Sequence, residues 1–293
     1  MKKIRYALEA ILLYMLFVFF KLLPPPIASN IGGAIGRFIG PLLAASRKAR
    51  RHLALAIPDL SEQQQQDIIK GMWDNLGRVI AEYPHLETIC KKHTQVQNVE
   101  FMQECIENNT PMILIGGHIA NWEINSVATL TLLNHPIDIT FRAPNNPWVA
   151  SLLDNARTLK GRITGYPKSR DSGKKIMKAL KNKKSIGILV DQKYNEGLNV
   201  PFFNRDAMTN PVFVKLCQKY KTPLIPVRNQ RHEGCSFTLT AFPPIPVFNE
   251  DGTPRQTEDV IAEVHTLLES WIEDTPEQWI WMHKRWGKSK RLL

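Results

Sequence analysis

Apolar residues are distributed along the chain in two ways. At the amino end they form one long stretch: Ala7 to Phe20 is apolar but for Glu9, with Lys2, Lys3 and Arg5 before it and Lys21 and Pro24-Pro25-Pro26 after it. A helix over Ile4 to Leu23 is about 30 Å long, the hydrocarbon thickness of a bilayer. A signal peptide begins with the same lysines and apolar run, but no small-residue cleavage site follows. Residues 1–23 are therefore predicted to be an uncleaved N-terminal membrane-anchoring helix, with a helix lying in the interface as the competing reading. Ile27 to Ala45 is also apolar, but Gly32, Gly33, Gly36 and Gly40 interrupt it. It reads as a helix packed on the remaining domain, residues 24–293, or half-sunk among headgroups.

Beyond residue 60 the pattern changes to short apolar runs alternating with helical spacing. Ser61 to Cys90 reads as helix, with Ser61 at its N-cap and Ile68, Ile69, Met72, Trp73, Leu76, Val79 and Ile80 recurring on one face. Met112 to Ile115, Ile137 to Arg142 and Ser185 to Val190 read as strands, with Leu224 to Asn229 and Cys235 to Phe242 as the last two. Helices are predicted between them from an N-cap at Asn121 on through Ile124–Leu133, at Trp148–Leu159, Gly173–Lys183 and Asn210–Tyr220, and after them at Glu258–Trp271. The predicted fold class is α/β: a mostly parallel central sheet wrapped by helices. Gly197 to Phe203 reads as a loop.

Charge adds a partner class. The 293 residues carry 38 Lys plus Arg against 27 Asp plus Glu, a net charge of +11, which calls for an anionic partner. No helix-turn-helix, zinc finger or aromatic ribonucleoprotein motif supports nucleic acid, leaving a membrane surface or an acidic ligand. Arg47 to Arg51 is a basic patch suited to anionic lipid. The four cysteines are scattered without any C-x-x-C, so free buried thiols in a reducing compartment are expected. No metal-ligand constellation is present.

The candidate chemistry lies after the first central strand, in Gly116-Gly117-His118-Ile119-Ala120-Asn121-Trp122-Glu123. The glycines permit a sharp turn and close approach of a ligand, and Asn121 suits a helix N-cap with Glu123 in the first turn. On one continuous helix His118 and Glu123 would diverge by about 140°. They meet only if His118 sits in the preceding loop, where a carboxylate on one ring nitrogen would make the other a general base. A loop histidine beside a capping glutamate, without chemistry, fits the same spacing. Asp191 ends the Ser185–Val190 strand, the edge at which open α/β sheets bind ligands.

These motifs, taken in order with Phe141-Arg142-Ala143-Pro144-Asn145-Asn146-Pro147, Asp191-Gln192-Lys193, Val200-Pro201-Phe202-Phe203, Ala207-Met208-Thr209 and Pro276-Glu277-Gln278-Trp279-Ile280-Trp281-Met282-His283-Lys284-Arg285-Trp286, resemble the bacterial lipid A biosynthesis lauroyl/myristoyl acyltransferases of the lysophospholipid-acyltransferase-like superfamily. The resemblance implies an enzyme at the cytoplasmic face of the bacterial inner membrane. It would move an acyl chain from acyl carrier protein, or from acyl-CoA as co-substrate, to a hydroxyl of an anionic lipid A precursor, without cofactor or metal. It assigns His118 and Glu123 as the catalytic pair and Arg157 and Asp191 as further active-site residues, with Arg142 near the site. On that footing His118 is the base, Glu123 orients it, and Arg157 or backbone N–H groups stabilise the oxyanion. Asp191 orders Arg157 or the histidine loop. Arg142 holds acceptor phosphates or the acidic carrier, and Trp122, Phe202 and Phe203 wall an acyl tunnel. Family members usually carry Phe-Gly where this chain has Ile119-Ala120, and Gly at the position of Asn204. Acyl transfer to another lipid acceptor, thioester hydrolysis by the same His–Glu pair, and a membrane-anchored lipid-binding module remain the alternatives.

Overall fold

The apolar run Ile113–Gly116 is completely buried and lies at the centre of a seven-stranded sheet, in a computed structural model that describes residues 2–167 and 171–287. In chain order the elements begin with α1 (Lys2–Lys21), α2 (Pro25–Ile39), α3 (Ala44–Ala56), α4 (Glu62–Glu82), α5 (Leu86–His93), β1 (Thr94–Gln97) and α6 (Glu100–Glu107). The central part comprises β2 (Ile113–Gly116), α7 (Ile124–Leu133), β3 (Ile137–Phe141), α8 (Pro147–Arg157), β4 (Gly165–Pro167), α9 (Ser172–Lys181) and β5 (Ser185–Leu189). The hairpin β6 (Leu198–Phe202) and β7 (Arg205–Thr209), α10 (Val212–Tyr220), β8 (Leu224–Arg231), β9 (Phe237–Ala241) and α11 (Thr257–Asp274) complete it.

The sheet order is β1-β9-β8-β2-β5-β3-β4, and every neighbouring pair is parallel except β8–β9. The fold is therefore mixed α/β with a mostly parallel sheet. The crossovers β2–α7–β3 and β3–α8–β4 step outward along the sheet, whereas β4–α9–β5 steps back. Right-handed crossovers then put α7 and α8 on one face and α9 on the other. The packing agrees: α1 rests on α8, α2 on α4, and α9 on α10.

Three local differences from the sequence reading have physical causes. The helix foreseen over Ser61–Cys90 breaks at Tyr83–His85, because Pro84 cannot continue it. Gly197–Phe203 is mostly strand: β6 turns into β7 through Phe203 (φ 50°) and Asn204 (φ 53°), a two-residue turn with both central residues left-handed. Thr94–Gln97, polar and short, is the edge strand β1.

The N-terminal helices present an apolar exterior. Among the described residues, every exposed large hydrophobic lies between Ile4 and Leu43 except Ile80, Leu132 and Trp148. Only Ala10 and Phe20 of α1 are buried. No single helix among the described residues is long and apolar enough to cross a membrane; the segments Pro25–Leu42 and Ala44–Ala56 reach that length only together, bent by 86°. α1 alone does not meet that length and composition for the foreseen single span: Glu9 interrupts its apolar run, and Arg5 and Lys21 bound it closely on either side.

The glycines of the second apolar stretch serve packing. A Cβ on Gly36 would stand 2.1 Å from the Trp73 carbonyl oxygen, and one on Gly77 of α4 2.1 Å from the Gly32 oxygen. The α2 and α4 backbones thus touch through their glycines. We expect Gly36→Ala and Gly77→Ala to force these helices apart and to destabilise the protein by about 1–3 kcal/mol each. Gly173→Ala, where a Cβ meets nothing within 4 Å, should be neutral or gain up to about 1 kcal/mol. Thermal unfolding of the three variants checks this; equal effects would contradict the close-packed interface.

Candidate active site

Strand register brings the histidine and an aspartate together. Gly116 of β2 pairs with Leu189 of β5, and the Val190 N–H donates to the Gly116 oxygen at 3.0 Å. The two chains leave the sheet side by side, so His118 and Asp191 emerge next to each other. Asp191 is buried and accepts three hydrogen bonds: His118 Nδ1–H to Oδ1 at 2.7 Å, and the His118 backbone N–H and Trp279 Nε1–H to Oδ2, each at 2.8 Å. Burial alone would raise its carboxyl pKa, but the charge and donors of His118, with the Trp279 N–H, hold it well below the usual carboxylate range. Asp191 is therefore ionised at neutral pH and can only accept. This places the ring proton on Nδ1 and leaves the Nε2 lone pair free to accept a proton. The Gln192 Nε2 amide faces that lone pair at 3.2 Å.

Glu123 is not the carboxylate on the histidine, contrary to the sequence reading. Helix α7 begins at Ile124, later than foreseen, and Asn121 Oδ1 instead accepts the Glu123 N–H at 3.2 Å in a turn before the helix. The chain reverses at Ala120 (φ 51°), which sends Glu123 to the other side of Trp122. There its Oε1 accepts from Tyr83 Oη at 2.6 Å and Trp122 Nε1 at 3.2 Å, and lies 3.3 Å from Arg157 Nη2. Arg157, at the last turn of α8, also donates to Tyr83 Oη at 3.1 Å and lies over the Phe141 ring at 4.8 Å. Burial and the adjacent Glu123 charge push the Tyr83 phenol well above its ordinary range, so it stays protonated and donates. Burial would lower Arg157, but Glu123, Tyr83 and Asp154 raise it. Its Nε has no hydrogen-bond partner among the described residues. Trp122 joins the two groups: its ring centroid is 5.2 Å from that of His118.

The histidine loop is fixed by buried polar groups from three segments: α4, β8 and the C-terminal stretch around Gln278. The Ala120 N–H donates to the Gln278 oxygen at 2.9 Å, and Asn75 Nδ2 donates to the Ala120 oxygen at 3.0 Å. Asn229 Nδ2 donates to the Asn121 oxygen at 2.6 Å, and Asn121 Nδ2 donates to Glu82 Oε2 at 2.8 Å. Glu82, fully buried, is paired with Arg231, which also donates to Asn75 Oδ1 at 2.8 Å. Left-handed backbone on a residue with a Cβ costs about 1–2 kcal/mol. Two buried hydrogen bonds at about 1 kcal/mol each are enough to hold Ala120 there. The strained position is thus Ala120; Gly116 and Gly117 have ordinary φ, and Gly116 is required because a Cβ would stand 2.9 Å from the Val227 oxygen.

Phe202 and Phe203 do not wall a tunnel beside His118. Both are buried in an aromatic cluster with Trp279, Trp281 and Trp286. Arg285 closes this cluster, with its guanidinium 4.9 Å from the Phe202 ring centre, and donates to Met208 O, Thr209 Oγ1 and His265 Nε2. Burial lowers it to about 10. Arg142 is exposed past the end of β3. Sequence reasoning gave no role to Trp279, Gln192 or His283, which come from the quoted motifs, and Tyr83 carried no signal. The His283 ring is 5.9 Å from that of His118; desolvation first, then the charges of His118, Arg142 and Lys48, lower its imidazole against the opposing charge of Asp191. The four cysteines are free and buried, and burial pushes the Cys217 thiol up to about 12.

Comparison with known proteins follows the same lines. Residues 1–288 match the model of the family described as bacterial lipid A biosynthesis acyltransferase. A lipid A biosynthesis acyltransferase of Haemophilus influenzae is 27% identical over 280 residues, covering 90% of this chain and 85% of that protein. The lipid A biosynthesis palmitoleoyltransferase and lauroyltransferase of Escherichia coli K12 are each 24% identical over 279 residues, covering 90% of this chain and 86% of each relative.

The left-handed Ala120 gives a direct test of the loop geometry. We expect Ala120→Gly to leave stability within about 1 kcal/mol of the parent, because relief of strain offsets the added backbone freedom. Ala120→Val should cost about 2 kcal/mol or more, since a β-branched residue at this φ is a true outlier. Chemical denaturation measures both; a valine tolerated as well as glycine would contradict the turn.

Proposed function

The chain belongs to the bacterial lipid A biosynthesis acyltransferases and is an acyltransferase, and within that family we propose that it moves a fatty acyl chain from acyl carrier protein to a hydroxyl of a lipid A precursor, with His118 as general base. The observation that carries this reading is the bond of Asp191 to His118 Nδ1, which leaves Nε2 as a proton acceptor on the open side of the loop. The acceptor hydroxyl displaces the Gln192 amide from Nε2 and gives up its proton as its oxygen attacks the thioester carbonyl. Asp191 stabilises the imidazolium. Collapse of the tetrahedral intermediate breaks the C–S bond, and the imidazolium returns the proton to the departing thiolate. Because the lipid hydroxyl is the nucleophile, no enzyme serine or cysteine is required.

The second carboxylate acts elsewhere. Glu123 and Tyr83 pin Arg157, and Arg157 is the proposed cation for the developing oxyanion. Arg142 and Lys48, whose charges reach the neighbourhood of His118, suit the phosphates of an anionic acceptor. The exposed apolar residues of α1 and α2, beside the exposed Arg47, Lys48, Arg50 and Arg51, support placement of these helices in the membrane interface on the cytoplasmic side.

Membranes containing the protein, supplied with acyl carrier protein loaded with C12, C14 or C16 chains and a tetraacylated, Kdo-bearing precursor, should yield a product one acyl chain heavier. His118→Ala should abolish it. Asp191→Asn, which removes a charge and favours the wrong tautomer, should lower kcat by on the order of 10³–10⁴-fold. Fatty-acid release without transfer would instead support a thioesterase. An intact donor with no product would point to another acceptor, and near-normal turnover by His118→Ala would defeat the mechanism.

A further inference from the structure

Helix α9 buries Ile176, Ala179 and Leu180 and turns Lys174, Lys175, Lys178 and Lys181 outward; its sequence contains no acidic residue. Lys219 of α10 extends the same surface, its Nζ 3.9 Å from Met177 Sδ of α9, and α10 also lacks acidic residues. Among the described residues, none of these five lysines lies within 4.0 Å of a carboxylate. Asp171 is exposed just before the helix, and Asp138 meets Lys184 at 3.5 Å. A helix dipole favours lysines in the last turn, which accounts for Lys178 and Lys181. It opposes Lys174 and Lys175 in the first turn, where helix stability alone would place acids. A binding role accounts for them.

Position separates the two anionic surfaces that suit such a face. The exposed apolar helices α1 and α2 pack on the α4 and α8 side of the sheet, whereas α9 and α10 lie on the other side. The lysine face exposes no large hydrophobic residue, unlike a surface that enters a bilayer. The start of α9 follows the carboxyl end of β4, the same sheet edge from which His118 and Asp191 project. β4 is three strands from β2, about 14 Å at ordinary strand spacing. A soluble acidic protein docked there would face the site from the side away from the membrane.

We propose that the lysine face of α9 and α10 docks the acidic acyl carrier protein that delivers the thioester, an inference that rests on the carrier-borne donor proposed above. The charges steer and hold the carrier, while the acyl thioester reaches His118 along the sheet edge.

The test compares two donors in the full-length protein: acyl-carrier protein, and the same acyl chain on pantetheine, which lacks the protein. In Lys174→Glu/Lys175→Glu/Lys178→Glu the KM for the carrier-borne donor should rise tenfold or more with kcat little changed, while kcat/KM for acyl-pantetheine stays within about twofold. In the wild type, raising salt from 50 to 500 mM should raise KM for the carrier-borne donor and leave acyl-pantetheine unaffected. An unchanged KM for the carrier in the triple variant, or a flat salt response, would overturn the docking face. Loss of sedimentation with phosphatidylglycerol vesicles in that variant, at unchanged carrier KM, would assign the lysines to lipid and overturn it as well. A wild type that uses acyl-pantetheine as well as the carrier-borne thioester would show instead that the carrier reading itself fails.

Discussion

A single buried carboxylate holds the chemistry in place. Asp191 accepts from the ring and from the backbone of His118, and from the Trp279 indole. The first bond fixes the tautomer, the second fixes the loop, and the third ties both to the C-terminal segment. A buried carboxylate is stable only when donors replace the water it has lost, and three donors do so here. Parallel register supplies the rest, because β2 and β5 deliver His118 and Asp191 to the same edge at the same height.

The loop between His118 and Glu123 depends on a second buried pair. Glu82 and Arg231 face each other with Asn75, Asn121 and Gln278 around them. Removing one partner of such a pair costs about 3–5 kcal/mol, since the other charge is left buried and unpaired. The same Glu82 accepts from Ser29 of α2 at 2.6 Å. One hydrogen-bond network thus connects the glycine-packed N-terminal helices to the backbone that presents the histidine.

Much of this was legible in the sequence. Period and length gave β2, β3, β5 and the parallel sheet, since their apolar runs are short and bounded by turns. The strand-end rule singled out Asp191, and the glycine turn between a buried strand and a helix singled out His118. What could not be read was which carboxylate meets the ring. H-x(4)-E put Glu123 nearest in sequence, but a left-handed Ala120 turns Glu123 away, and no local signal marks alanine for that conformation. Phe202 and Phe203 looked like pocket walls because composition cannot tell a closed aromatic cluster from a lined cavity. Tyr83, Asn75, Glu82 and Arg231 were silent because their roles arise from partners dozens of residues away in sequence.

The measurement that tests the pairing most directly is the ¹H–¹⁵N spectrum of the ¹⁵N-histidine-labelled protein at neutral pH, in wild type, Asp191→Asn and Glu123→Gln. A downfield Nδ1–H resonance of His118, present in wild type and Glu123→Gln and lost in Asp191→Asn, is the predicted result. Its loss in Glu123→Gln and survival in Asp191→Asn would contradict the account and return the histidine to the glutamate.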